Sequence, residues 1–322
     1  MLNMRATLHQ LKVFRQVALS MNYTKAAESL GLSQPAVSIQ LKQLENNLDI
    51  FLFEKIGKTL YLTAAGKELK SFCDELFISF DNINMTLSGL KGELIGDFCL
   101  SAVTSAKYFT PHLLGAFHKR HPKVNFHLDI VNREQIIQRL HDNKDDLVIM
   151  GLLPETIPLA QHPFVDNPII LIASPQHPLA KRQHIALSEL AEHAFIHREK
   201  GSGTRKALEE VLAANDIELE VNMTLGNSET IKQAVMADLG ISAVSRHSVA
   251  LELATNTLVE LQVEGFPLIK SWYLVHHESK HLSPIAKAFI DFVLSPKENV
   301  PALCNRFLEH HFVAKKDTAG GL

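Results

Sequence analysis

Residues 23–45 read Y-T-K-A-A-E-S-L-G-L-S-Q-P-A-V-S-I-Q-L-K-Q-L-E. The spacing predicts two short helices joined by a tight turn at Gly31 and Leu32. The second helix opens at Ser33, whose hydroxyl can accept from the free N–H groups of the first turn. Pro35 falls in that turn, where a missing N–H costs little. Ala26 and Ala27 are small enough to let two helices cross closely. This is the pattern of a helix-turn-helix, whose second helix enters a DNA major groove. At about 100° per residue, Val37, Leu41, Leu44 and Leu48 fall on one side and form the expected buried stripe. Pro35, Ser38, Ile39, Lys42 and Asn46 face the other way, with Gln34 at the N-terminal rim. Gln can bond an adenine edge, Ser a base or a phosphate, and an exposed Ile can touch a thymine methyl. The competing reading of this strip is an ordinary solvated helix face.

Working outward, Leu8, Leu11, Phe14, Val17 and Ala18 mark a first amphipathic helix that would pack under the pair. After Leu48, two β-prone runs, 50–56 and 59–62, flank Gly57 and Lys58. They predict a hairpin, or wing, with Lys55 and Lys58 near its tip, in reach of phosphate or the minor groove. Thr63 then caps a long helix over about 64–91. Leu69, Phe72, Leu76, Ile83, Leu87 and Leu90 make a heptad-like seam along it, with Phe80 beside. A lone helix between two domains leaves such a seam exposed, so a partner helix from a second copy is expected. Packing against its own neighbouring domain is the alternative.

Residues 92–298 alternate strand and helix. Strands are expected at 98–103, 124–131, 146–150, 168–173, 194–196, 221–225, 241–244 and 272–277. Repeated βα units imply mostly parallel sheets, and the late return of a strand and helix implies two α/β lobes crossed twice by the chain, with a cleft between them. Ligands of such folds sit at strand C-terminal ends against helix N-termini. The junctions rich in small polar residues are Thr104 and Ser105, the run from Gly201 to Arg205 with Ser202 and Thr204, and Gly226 to Glu229 with Asn227. Asn132 and Arg133 form a fourth. Lys107, Arg133, Arg205, Lys232 and Arg246 lie near such ends, and hydroxyls, free N–H groups and cations together suit a carboxylate or phosphate. The simpler reading is that Ser, Thr and Asn are there as N-caps.

The chain has 322 residues, 46% hydrophobic and 21% charged, as in folded soluble proteins. No apolar run of membrane-spanning length occurs, and the N-terminus lacks the apolar core of a signal peptide. The three cysteines are far apart without zinc-ligand spacing, which fits a reducing, cytoplasmic setting. Residues 1–62 carry seven Lys/Arg against four Asp/Glu, whereas the remainder carries 25 against 31. A mildly basic head on an acidic remainder suits one nucleic-acid domain plus one that avoids DNA. So small an excess would bind phosphates weakly, which makes pairing of two copies attractive. Enzyme signals are weak. The 201–205 run lacks the Gly-Lys-Ser/Thr ending of a P-loop, and no G-x-S-x-G elbow occurs. The 17 histidines are scattered; His276 and His277 would point to opposite faces of a strand, a poor metal pair. His197, Arg198 and Glu199 have no nucleophile or spacing beside them to make a catalytic group.

With A-A-E-S-L-G-L-S-Q-P-A-V-S, then L-F-E-K and L-T-A-A-G, residues 8–66 closely resemble the N-terminal pattern of LysR-type transcriptional regulators. The resemblance runs to about residue 296. Through S-A-K-Y-F-T-P (105–111), N-R-E (132–134), D-L-V-I-M-G (146–151), R-E-K-G-S-G-T-R (198–205), N-S-E-T-I-K-Q-A-V-M-A (227–237) and L-S-P-I-A-K-A-F (282–289), it is most similar to the branch that activates carbon-fixation operons. The resemblance implies a multidomain chain. An all-α winged helix-turn-helix (1–63) would be followed by a linker and dimerisation helix (64–91). A periplasmic-binding-protein-like effector domain (92–298) would come next, with one lobe over about 92–164 and 269–298 and the other over about 165–268, and then a tail (299–322). It implies dimers of dimers on promoter DNA, contact with RNA polymerase, no catalysis and no cofactor. It also implies an effector that is a phosphorylated sugar, an organic acid or a nucleotide. Gln34, Pro35, Ser38 and Ile39 would face bases, with Lys42, Lys55 and Lys58 as further DNA contacts. Asp49 and Lys55 depart from the glycine and arginine usual in the family, and Lys lacks the bidentate fork. A phosphate-handling α/β enzyme with an accessory helical domain is the alternative expectation.

Overall fold

The computed structural model describes residues 6–57, 59–89 and 93–304. The chain divides into two compact units, Met1–Leu87 and Ser88–Leu322.

In the first unit, α1 (Leu8–Ser20) opens with a capping box: Thr7 accepts from the Gln10 N–H, and the Gln10 side chain accepts from the Thr7 N–H. Helix α2 (Tyr23–Leu30) ends on Gly31 at φ +65°, the left-handed turn that glycine adopts without strain. Helix α3 (Gln34–Leu48) starts on Ser33, whose hydroxyl accepts from the Ala36 N–H, and it ends on Asp49 at φ +53°. The glycine usual at that place is thus explained, because the position is a left-handed C-cap. Val37, Leu41 and Leu44 are buried and Leu48 partly so, in one core with Leu11, Val13, Phe14, Val17 and Ala26. One expectation fails: Leu8 is 49% exposed, and Val13 takes its place in the core. Leu8 is the first residue of α1, and Gln10, held in the capping box, is buried instead.

The wing is β1 (Phe53–Ile56) paired antiparallel with β2 (Thr59–Leu62), so the run expected from residue 50 becomes strand only at Phe53. Lys58 lies outside the described residues. Thr63 accepts from the Gly66 N–H at the start of α4 (Ala64–Gly89). The single seam expected along this helix is divided. Leu69, Cys73, Leu76 and Phe77 pack into the core of the first unit, while Phe72, Phe80 and Ile83 are exposed. The wing and α1 cover the first turns of α4 and claim one side of it. Leu90 lies outside the described residues, and nothing is described of the Leu87 side chain.

The second unit is a two-lobed α/β structure. β3 (Gly96–Val103), α5 (Thr110–Arg120), β4 (Val124–Val131), α6 (Arg133–His141) and β5 (Leu147–Met150) form parallel βαβ units, in which β3 pairs with both β4 and β5. The long β6 (Leu159–Ala173) then leaves this group. β7 (Phe195–Arg198), α7 (Gly203–Ala214), β8 (Val221–Leu225), α8 (Ser228–Met236), β9 (Ser242–Ser245), α9 (Ala250–Ala254) and β10 (Val259–Glu260) follow. β11 (Leu268–His277) returns, and α10 (Pro284–Leu294) closes the first lobe. The sheet is mixed rather than mostly parallel. β11 runs antiparallel to β6 and β5, and β9 and β10 run antiparallel to β6. Two strands that carry the chain out and back side by side must pair in opposite directions, a consequence of the double crossing that βα alternation alone does not reveal.

The β6–β11 ladder changes register where Trp272 faces Val165 and Tyr273 faces Pro163, leaving Phe164 as the extra residue of a bulge. The fully buried Trp272 packs there edge-on against Phe109, at 5.3 Å between ring centroids. Beyond α10, residues 300–304 are helical, with Val300 and Cys304 buried, so the start of the expected tail is packed. Residues 305–322 lie outside the described residues.

Candidate functional site

The outward strip of α3 is free of internal partners among the described residues. Gln34, Pro35, Ser38, Lys42 and Asn46 are exposed, and Ile39 is 55% exposed. Among the described residues none bonds these side chains. Ile39 is the apolar residue on this otherwise mostly polar face. Lys55 is exposed on the wing, opposite Leu60 in the ladder.

The second surface is a cleft of about 610 Å³, measured with its open mouth, in the Ser88–Leu322 unit. Thr104, Ser105, Arg133, Ser202 and Thr204, all expected, line it. Gly151 and Gly203 let backbone close in on its wall. A Cβ at Gly203 would stand 3.0 Å from Leu152 Cβ, and one at Gly151 would stand 3.1 Å from Asn167 Nδ2. The question whether the polar junctions are only caps receives different answers. Asn132 caps α6 in a capping box with Gln135, and Asn227 caps α8 through the Glu229 N–H. Ser202, at the head of α7, makes no side-chain cap bond, although it is buried. The first turn of α7 therefore keeps donors open toward the cleft.

The remaining expected residues are held elsewhere. Arg205 pairs with Glu209 at 2.6 Å and donates to the Arg198 carbonyl. Arg246 pairs with Glu260. Glu229 accepts from the Tyr108 hydroxyl at 2.6 Å and pairs with Lys232 at 3.0 Å and Lys107 at 3.7 Å. Partial burial pushes the Glu229 carboxyl up, but the Tyr108 and Lys232 hydrogen bonds outweigh it and hold the group below its ordinary value. These contacts join the β3–α5 connection to α8 and are structural in character.

Residues not expected include Asn167, Glu199, Lys270, Trp272 and above all Arg198, which also line the cleft. Arg198 is buried and holds Glu199 through two 2.8 Å bonds, from Nε and from one terminal nitrogen. The same nitrogen donates to Thr104 Oγ1 at 3.2 Å, and the other reaches Ser228 Oγ at 3.4 Å. Arg198 ends β7 just before α7, so the rule that places ligands at strand ends would have found it. Lys270 lies 3.7 Å from Glu210. Arg133 differs from both. Its guanidinium donates only to the backbone carbonyls of Leu152 at 3.2 Å and Leu153 at 3.4 Å, with no carboxylate partner among the described residues. Burial lowers its pKa from the ordinary arginine value, which still leaves it cationic at neutral pH. The cleft thus holds two matched ion pairs and one unmatched positive charge beside open helix donors. Among the described residues no group of three metal-ligating side chains occurs, and no helix is long and apolar enough to cross a membrane.

A winged helix-turn-helix and a two-lobed α/β unit with a polar cleft, on one chain, are the parts of a ligand-responsive DNA-binding regulator. The bacterial regulatory helix-turn-helix family of lysR type matches residues 8–67, and the LysR substrate binding domain family matches residues 91–295. The chain belongs to the LysR family of transcriptional regulators and is a regulator rather than an enzyme. It is 44% identical over 292 residues to a RuBisCO operon transcriptional regulator of Allochromatium vinosum, covering 91% of this chain and 97% of the relative. It is 42% identical over 295 residues to the transcriptional activator CmpR of Synechocystis, covering 92% and 97%. Among solved structures, the regulatory domain of Synechocystis CcmR in complex with 2-PG is similar at a TM-score of 0.61 and 40% identity, over 63% of this chain and 98% of that one. A full-length OxyR of Pseudomonas aeruginosa, 20% identical, shares the fold at a TM-score of 0.69, over 89% of this chain and 94% of that one.

Proposed function

We propose that this regulator controls carbon-metabolism genes, and that a small anion in the cleft (a phosphorylated acid or sugar, another organic acid or a nucleotide) changes how it holds its promoter. The observation that carries the reading is Arg133, a cation in the cleft wall bonded only to carbonyls, together with the uncapped start of α7. The relatives named for the RuBisCO operon and the 2-PG complex of CcmR support the target and the ligand chemistry. Gln34, Pro35, Ser38 and Ile39 would read base edges, while Lys42, Lys55 and Lys58 hold phosphates. The small positive charge of the head favours two or more heads acting together, as a cytoplasmic dimer of dimers, and the exposed Phe72, Phe80 and Ile83 of α4 are apolar surface for a second copy. RNA polymerase is the further partner. The anion acts by population shift: it favours whichever arrangement of the protein binds it better, and one that binds both equally changes nothing.

The test is thermal unfolding of the full chain with 2-PG, inorganic phosphate and neutral sugars. 2-PG at about 100 times its Kd should add about 2.7 kcal/mol of stability. Arg133→Ala should remove most of that gain and leave DNA binding without the anion intact. An equal response of the variant and the wild type would place the anion elsewhere.

A further inference from the structure

The wing is a ribbon of two four-residue strands, and a lone two-stranded ribbon is marginally stable at best in water. Something must aim it. Its tip is exposed, whereas its root at Leu52 is buried and the Phe53 ring packs 5.4 Å from Phe14. The carbonyl side of the root belongs to α4. Thr63 Oγ1 donates to the Phe51 carbonyl at 2.7 Å, the Thr63 N–H donates to the Leu52 carbonyl at 3.1 Å, and a Cβ at Gly66 would stand 2.1 Å from that oxygen. The N–H side belongs to the recognition helix. Glu45 Oε1 accepts from the Leu52 N–H at 2.8 Å and from the Phe53 N–H at 3.3 Å. A carboxylate in a domain that must approach phosphates is electrostatically unfavourable for binding. Here it is turned to the wing root and takes two backbone donors that would otherwise lack a partner.

We propose that Glu45 is a positioning residue for DNA recognition. It ties the wing to α3 so that Lys55 meets the phosphate backbone while Ser38 and Ile39 meet base edges. The inference rests on the DNA-binding reading and adds that the contribution of Lys55 depends on a side chain that bonds the wing root.

The test uses the full chain and the duplex that the wild type enriches from a random-sequence library, with affinity measured across a salt series. Lys55→Ala should lower the salt slope by about 1. Glu45→Ala should do the same and weaken binding, although it removes a negative charge and would otherwise tighten it. In the double variant the slope should fall no further, with affinity within about twofold of Glu45→Ala alone. Glu45→Gln keeps a neutral oxygen acceptor and should retain the Lys55 contribution, so it serves where Glu45→Ala does not fold. Equal or tighter binding by Glu45→Ala, a full Lys55 effect in its background, or loss of the Lys55 effect in Glu45→Gln would overturn the inference. A wild type that enriches no duplex would overturn the DNA-binding reading and this inference with it. Normal wild-type binding with an additive cycle would overturn this inference alone.

Discussion

The outward face of α3 and the cleft of the Ser88–Leu322 unit handle polar side chains in opposite ways. On α3, Gln34, Ser38 and Lys42 project into water without internal partners among the described residues. In the cleft, Arg198 is already bonded to Glu199, Thr104 and Ser228, and Lys270 stands beside Glu210. A surface that meets a long polyanion needs free, hydrated side chains, since steering and counterion release supply much of the affinity. A pocket for a small molecule needs groups already held in place, because ordering them on binding would consume affinity. Within that built cleft Arg133 is the exception, bonded only to the Leu152 and Leu153 carbonyls among the described residues, and it is the group on which the proposed anion rests.

The largest effect should come from breaking the free face. Ser38→Arg places a bulky side chain where the proposed function has α3 meet the groove. Sequence-specific affinity should fall by on the order of 1000-fold, to the level of non-specific binding, with the assembly unchanged by sedimentation. An unchanged footprint would remove α3 as the reading element. Next is the contrast between the two cleft arginines. Arg198→Ala strips Glu199 of its partner in a mostly buried setting and should cost about 2–3 kcal/mol of stability in thermal unfolding. Arg133→Ala leaves no carboxylate behind and should cost less than about 1 kcal/mol. Equal costs would erase the distinction between a structural arginine and a ligand arginine.

The smallest effect separates the two units by pH. Burial holds His162, His177 and His197, all in the Ser88–Leu322 unit, below the ordinary histidine value. As pH falls below about 6.5 the unfolded chain takes up these protons first, so stability is lost from there down through the folded-state values and is fully present above. Denaturant midpoints between pH 7.5 and 5.5 should fall for this unit. A flat profile would show that the three rings are not held neutral by the fold.

The head was readable because its signals are local. The turn at Gly31, the cap at Ser33 and the stripe of Val37, Leu41 and Leu44 each depend on residues within a few positions. The side of α4 that packs was not readable, since the stripe from Leu69 to Ile83 looks continuous until the wing and α1 claim Leu69 and Leu76. The cleft was half readable. Small polar residues at strand ends point to Thr104, Ser105, Ser202 and Thr204, but a cap and a ligand donor have the same spelling. Only the fold distinguishes Asn227, which bonds the Glu229 N–H, from Ser202, which bonds no helix N–H. Likewise Arg205 and Arg198 lie seven residues apart, and which one faces the cleft is decided by the strand end and the Glu209 pairing. The mixed sheet depends on β6 and β11 lying side by side, a contact across about a hundred residues of chain.

The central claim is that an anion in the cleft and DNA on α3 act on one equilibrium. The direct measurement is the Kd of the full chain for its enriched duplex as 2-PG is raised, paired with the Kd for 2-PG with and without the duplex. Coupling should change both by the same factor, about 5- to 150-fold, as linkage requires. Binding of 2-PG that leaves the duplex Kd and footprint unchanged would contradict it.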